Sequence, residues 1–164
     1  MGVLAGPPVI AAVLPGSAEG REVLRAYFCE IVGRLYGRAA STAEVDAAMA
    51  GDPSDALVPP TGLLLVARRA RTTVGCAGLL LLPGRMGEVK RVFVDPAARG
   101  GGVGTLLMRA IEDAARSCQL SRLRLDTRSN LTEARRLYER EGYKEVAPFT
   151  DDPLADHWYE KILE

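Results

Sequence analysis

Histidine is nearly absent from these 164 residues: His157 stands alone, and the three cysteines, Cys29, Cys76 and Cys118, lie far apart with no Cys-x-x-Cys pair. A zinc site needs four nitrogen and sulfur ligands at suitable spacing, so no metal is expected. Three scattered cysteines read as free thiols in a reducing cytoplasm, used as small buried hydrophobes. There is no basic excess either. Lys plus Arg and Asp plus Glu are 21 each, giving a net charge of 0, which argues against nucleic acid as a partner. No apolar run reaches membrane-spanning length. Met1 to Ala18 carries no charge, but it lacks a positive start, and Pro7, Pro8 and Pro15 interrupt it, unlike a secretory signal. A myristoylation signal beginning at Gly2 would need Ser or Thr where Gly6 stands. The expectation is a soluble, cytoplasmic protein.

What is present is ordinary globular material, 48% apolar and 26% charged. A chain of this length buries about two-thirds of the surface it exposes when unfolded. The pattern reads as strand Val9 to Leu14, then a helix from Ala18 to Arg38 with Leu24, Tyr27, Phe28, Ile31 and Leu35 at helical spacing. Ser41 is placed to cap a short helix, Thr42 to Ala50. Leu63 to Ala67 and Val74 to Leu82 form a hairpin across the polar turn Arg68 to Thr73, and a third strand runs from about Glu88 to Val94. The clearest helix follows, its stripe Val103, Leu106, Leu107, Ala110, Ile111, Ala114 and Cys118. Strand Leu123 to Thr127 precedes helix Leu131 to Arg140, opened by a cap-like Asn130 and Glu133 pair and closed at Gly142. Tyr143 to Val146 and His157 to Leu163 read as final strands. With no repeat or linker, residues 1–164 make one mixed α/β (α+β) domain.

The chemistry concentrates in Val92-Phe93-Val94-Asp95-Pro96-Ala97-Ala98-Arg99-Gly100-Gly101-Gly102-Val103-Gly104. Three glycines bare a helix N-terminus, where free N–H groups and the helix dipole favour an anion, and Arg99 adds a planar cation suited to phosphate. A nucleoside-triphosphate loop would need Lys and then Ser or Thr after the last glycine, yet Thr105 and Leu106 follow Gly104. A dinucleotide fingerprint fails too, because its third glycine falls on Thr105 or Leu107. Alone, a Gly-Gly-Gly run reads as a connecting turn.

The wider spacing resembles the GNAT superfamily of N-acetyltransferases. Arg99-x-x-Gly102-x-Gly104 after a strand matches that family's acetyl-CoA loop, and Asn130, Ala134 and Leu137-Tyr138-Glu139-x-x-Gly142-Tyr143 match its Asn…Ala…Leu-Tyr-x-x-x-Gly-Phe helix. The ending Ala155-Asp156-His157-Trp158-Tyr159-Glu160-Lys161 is similar to one bacterial branch whose acceptors are unassigned. The likeness is specific from about Gly87 to Leu163. It implies a mostly antiparallel sheet of six to seven strands flanked by about four helices, with the strand before the glycine loop splayed from its neighbour.

By that resemblance, Phe93 and Val94 bond the pantetheine arm of acetyl-CoA through their main chain. Arg99 and amides of Gly100, Gly101, Gly102, Val103, Gly104 and Thr105 hold its pyrophosphate. Asn130 contacts the arm, or caps a helix, or both. Tyr138 is implied as the acid that protonates the leaving thiolate, against a plain reading as one more stripe residue. An amine acceptor is protonated near neutral pH, so a base is needed. Glu88 is the first candidate, on a strand face shared by alternation with Lys90, Val92 and Val94; its plain reading is a strand-end carboxylate paired with Lys90 or Arg91. His157 is the second, more simply a hydrogen-bonding residue at the start of the last strand.

The implied activity is direct acetyl transfer from acetyl-CoA to a primary amine of a small molecule or protein; the alternative is a silent acyl-CoA-binding sensor. The acceptor pocket is expected between the first helices and the loop Ala147 to Asp156, with Tyr36 at its edge. Asp151, Asp152 and Asp156 there suit a cationic acceptor, or form an ordinary solvated loop. Homodimer formation through the edge of the final strand is also open.

Overall fold

The structure is a computed structural model that describes residues 6–164; Gly2, and the myristoylation reading with it, lies outside the described residues. In chain order the elements are β1 (Val9–Val13), α1 (Ala18–Tyr36), α2 (Thr42–Gly51), β2 (Gly62–Arg69), β3 (Thr72–Leu82), β4 (Met86–Val94), α3 (Val103–Ser117), β5 (Arg122–Thr127), α4 (Thr132–Arg140), β6 (Lys144–Val146) and β7 (His157–Ile162). The seven strands form one sheet in the order β1-β2-β3-β4-β5-β7-β6. Every neighbouring pair is antiparallel except β4 and β5, which are joined by the crossover through α3. Among the described residues no helix is long and apolar enough to cross a membrane.

Local chemistry sets most boundaries. Ser17 accepts from the Gly20 amide to start α1, and Gly37 ends it at φ 68°. Ser41 and Glu44 close a reciprocal capping box on α2. The β2–β3 turn is tighter than the sequence implied: only Ala70 and Arg71 turn, both at positive φ, so the strands run on to Arg69 and from Thr72.

Core packing corrects three expectations. On α3, Leu106 and Cys118 are exposed, and the buried stripe is Val103, Leu107, Met108, Ile111 and Ala115 against the sheet. Cys29 is exposed as well, which leaves Cys76 as the buried thiol. The last strand has no free edge, because β7 lies between β5 and β6 and pairs with both. That placement removes it as a dimer edge.

The cap reading of Asn130 also changes. Helix α4 begins at Thr132 without a side-chain cap, since Glu133 ion-pairs with Arg34 of α1 and the Asn130 amide donates to the Arg34 carbonyl at 3.4 Å. Two long-range partners outbid a local one. The far end of α4 follows the sequence: Gly142 sits at φ 92°, its amide donates to the Glu139 carbonyl, and the Tyr143 amide reaches back to Tyr138 at 3.0 Å.

Glu19 ties the start of α1 to the β2–β3 hairpin by accepting from Arg68 and from Thr73. Hydrogen bonding to Arg68 holds its carboxyl down to about 2, against an opposing pull from partial burial. A depressed carboxylate stabilises the fold above its ordinary value of 4.5 and loses that contribution as pH falls towards about 2. Thermal melting should therefore show Glu19→Gln less stable than wild type at pH 7. The gap should close between pH 4.5 and 2.

Candidate active site

Strands β4 and β5 pair only at Met86↔Arg122, Gly87↔Leu123 and Glu88↔Arg124. Beyond Glu88 they part, so residues 89–94 of β4 face no strand on that side. This is the splay that the resemblance implied. Into the same stretch falls a bulge: Cys76 pairs with Phe93 and Gly78 with Lys90, leaving Ala77 opposite both Arg91 and Val92. Arg91 takes φ 58° to make room.

The bulge inverts the alternation assumed from sequence. Val89, Val92 and Val94 pack on the α3 side of the sheet, whereas Phe93 packs with the α1-side core. Glu88 and Lys90, opposite Leu80 and Gly78, stand on that second face. Glu88 thus shares its face with Lys90 and Phe93, and not with Val92 and Val94. One extra residue shifts every later side chain across the sheet.

Arg91 pins the bulge. Its buried guanidinium donates to Ser54 Oγ and the Asp52 carbonyl, both at 3.0 Å, pairs with the Asp52 carboxylate at 3.1 Å, and lies over the Tyr27 and Phe28 rings. The Cys76 thiol donates to the Arg91 carbonyl at 3.1 Å, and burial pushes that thiol up to about 12.

Between the splayed strands opens a cavity of about 1380 Å³. Its walls come from α1, α2, β4, the glycine loop, β5, α4 and the loop before β7. The structure brings together Glu88, Phe93, Val94, Arg99, Gly100, Gly102, Val103, Gly104, Thr105 and Tyr138 around it. Gly101 and Asn130 are not among the lining residues. Gly101 lies against Arg69, and Asn130 is held at the end of α1.

At the glycine-loop end, Gly102 caps α3 at φ 81° with no side-chain hydrogen bond, so the amides of Val103, Gly104 and Thr105 are the open first turn of a helix. A Cβ on Gly104 would meet Leu137 at 2.9 Å, and one on Gly100 or Gly102 would be strained by positive φ. Arg99 stands beside this turn. It donates to the Val94 carbonyl at 3.0 Å and pairs with Glu30, which also pairs with Arg34. These amides and this guanidinium form a cradle that fits a diphosphate, with the cavity running on from it.

Tyr138, Glu88, Asp52, Asp126 and Asp152 also line the cavity. Tyr138 is 5% exposed, its ring edged against Tyr143 and Tyr159. Burial first, then the Tyr27 and Asp126 charges, raise its hydroxyl's proton affinity, so it stays a proton donor at neutral pH. Tyr159, which donates to Glu139 at 3.0 Å, locks α4 and its Tyr138 onto β7. Glu88 lies 3.7 Å from Arg124 and 4.0 Å from Lys90.

The cavity is lined by residues of the first helices and by Thr150, Asp152 and Leu154 of the Ala147–Asp156 loop, where the acceptor was expected. Tyr36 lines it, and of the three loop aspartates only Asp152 does. Asp156 instead accepts from the Ser129 amide, and His157 bridges Ser129 and Glu145 at 3.0 Å each, away from the cavity. Sequence reasoning overlooked Asp126, although polar Arg122, Arg124 and Asp126 alternate with Leu123 and Leu125 along β5 and signal one polar face.

Comparison with known proteins agrees with this geometry. The model of the acetyltransferase (GNAT) family matches residues 26–143, and the chain belongs to that family. It is 43% identical over 103 residues to an IAA acetyltransferase of Azospirillum brasilense, covering 60% of this chain and 67% of that one. An N-acetyltransferase of Schizosaccharomyces pombe is 34% identical over 106 residues, covering 63% and 65%. The chain therefore spans about two-thirds of the length of these two relatives. A crystal structure from Klebsiella pneumoniae, assigned to the acyl-CoA N-acyltransferases, is 30% identical, with a TM-score of 0.73 over 96% of this chain and 98% of that one. The fold is also that of a PaiA N-acetyltransferase from Thermoplasma acidophilum solved with coenzyme A, at 20% identity, TM-score 0.72 and coverage of 94% and 99%.

Removing Arg91 tests the bulge. Arg91→Ala strips a buried cation from two acceptors and two rings and leaves Asp52 unpaired, so chemical denaturation should show a loss of about 3 kcal/mol. An unchanged midpoint would mean the bulge holds without it.

Proposed function

We propose that this protein transfers an acetyl group from acetyl-CoA directly to a primary amine. The observation that carries the reading is the open first turn of α3, with Arg99 beside it, at the end of a cavity that runs between parted strands to a buried tyrosine. Gly100, Gly102, Val103, Gly104, Thr105 and Arg99 hold the diphosphate. Phe93 and Val94 align the pantetheine arm along the unpaired side of β4. This chain's residues then have two tasks at the thioester: to accept a proton from the incoming ammonium and to donate one to the departing sulfur.

Tyr138 does the second. Its hydroxyl is protonated throughout the neutral range, and charge grows on the sulfur as the C–S bond breaks, so donation there lowers the barrier. The first falls to carboxylates of the opposite wall, of which Glu88 is the one expected from sequence. An acetyl donor is supported by the names of the relatives. Small molecule and protein amines both remain acceptors of the reading, and the cytoplasm is its proposed compartment.

Thiol release from acetyl-CoA across an amine panel, with coenzyme A binding followed by calorimetry, tests this. Wild type should turn over at least one amine, and Tyr138→Phe should lower kcat by about 10²-fold with binding of coenzyme A unchanged. Saturable binding without turnover on any amine would replace the transferase with an acyl-CoA sensor.

A further inference from the structure

On β5 the side chains alternate cleanly. Leu123 and Leu125 enter the α3-side core, while Arg124 turns to the other face and meets Glu88 at 3.7 Å. Asp126 follows two residues later on that same face, just past the point where β5 leaves β4, and it lines the cavity with Glu88 and Tyr138. It is half-buried.

The acidic groups of this wall differ in what already holds them. Asp52 is paired by Arg91 at 3.1 Å, and Glu88 lies between Arg124 and Lys90. Asp152 accepts the Leu154 amide at 2.9 Å. Among the described residues, Asp126 has neither an ion pair nor a hydrogen bond, so its oxygens are free for an incoming N–H. Resting on the transferase reading above, we propose that Asp126 is the general base that deprotonates the acceptor ammonium.

Its surroundings suit the task. Burial first, then the Glu88 and Asp152 charges and more weakly Asp52, favour the protonated form of Asp126, with Lys90 opposing them. Tyr138 feels the Asp126 charge from the α4 side. A carboxylate so placed takes up a proton more readily than an exposed one. The step balances: the ammonium gives one proton to Asp126, and the freed nitrogen lone pair attacks the acetyl carbonyl and forms the C–N bond. The C–S pair then leaves on sulfur, which takes the Tyr138 proton, and the second nitrogen proton restores the phenol. Asp126 returns its proton to water through the cavity mouth. Glu88 becomes a positioning residue, because its charge raises the proton affinity of Asp126.

The test uses the whole chain, acetyl-CoA and two probes: benzylamine, an ammonium at neutral pH, and methoxyamine, already a free base there. Asp126→Asn should lower kcat/KM for benzylamine about 10²-fold and for methoxyamine only a few-fold, with coenzyme A binding by calorimetry unchanged. Carbon-detected NMR titration of the free protein should place the Asp126 carboxyl above its ordinary 3.8 and bring it down in Glu88→Gln. Equal losses on both amines, or no loss on benzylamine, would overturn the role of Asp126. Wild type that releases thiol with neither amine would overturn the transferase reading itself.

Discussion

A single interrupted strand pairing governs this molecule. After three residues of parallel ladder, β4 and β5 separate, and the sheet accepts a wedge-shaped gap in its middle. Unpaired backbone inside a fold is costly unless something compensates. Here the compensation comes from one side: β3 stays paired with β4 through the bulge, Cys76 satisfies the Arg91 carbonyl, and Arg91 ties the distortion to the end of α2. The gap is therefore a fixed feature of the sheet, and the cavity, lined by the glycine loop and by Tyr138, opens at it.

The cavity is lined by charges of both signs. Helix amides and Arg99 make one end suited to anions, with Glu30, Arg34 and Glu133 forming a compact ion network around that guanidinium. Asp52, Glu88, Asp126 and Asp152 also line the cavity, and two of them are matched by cations, Asp52 by Arg91 and Glu88 by Arg124. The aromatic packing of Tyr138 with Tyr143 and Tyr159 keeps it buried in the cavity wall.

Much of this was legible in advance. Element order, the hairpin, the cap at Ser41 and the close of α4 at Gly142 follow from local rules about hydrogen bonds and backbone freedom. The glycine loop was legible through the spacing of Arg99, Gly102 and Gly104 after a strand, since the glycine run alone reads as a turn. Asn130 and Glu133 were misread for the opposite reason. Their spacing satisfies a local cap, but Arg34, 96 residues from Asn130 in sequence, offers partners that no window of sequence contains.

By itself the sequence settled which residues prefer helix, strand and turn, and it placed a glycine-bared helix tip and a tyrosine at fixed distances along the chain. Those are properties of neighbours, within a few residues of each other. Only the tertiary structure decided which face Glu88 occupies, which aspartates reach the cavity and which strand is left with an edge. Each of these depends on register between strands distant in sequence. A one-residue bulge reverses the outcome without altering the local pattern.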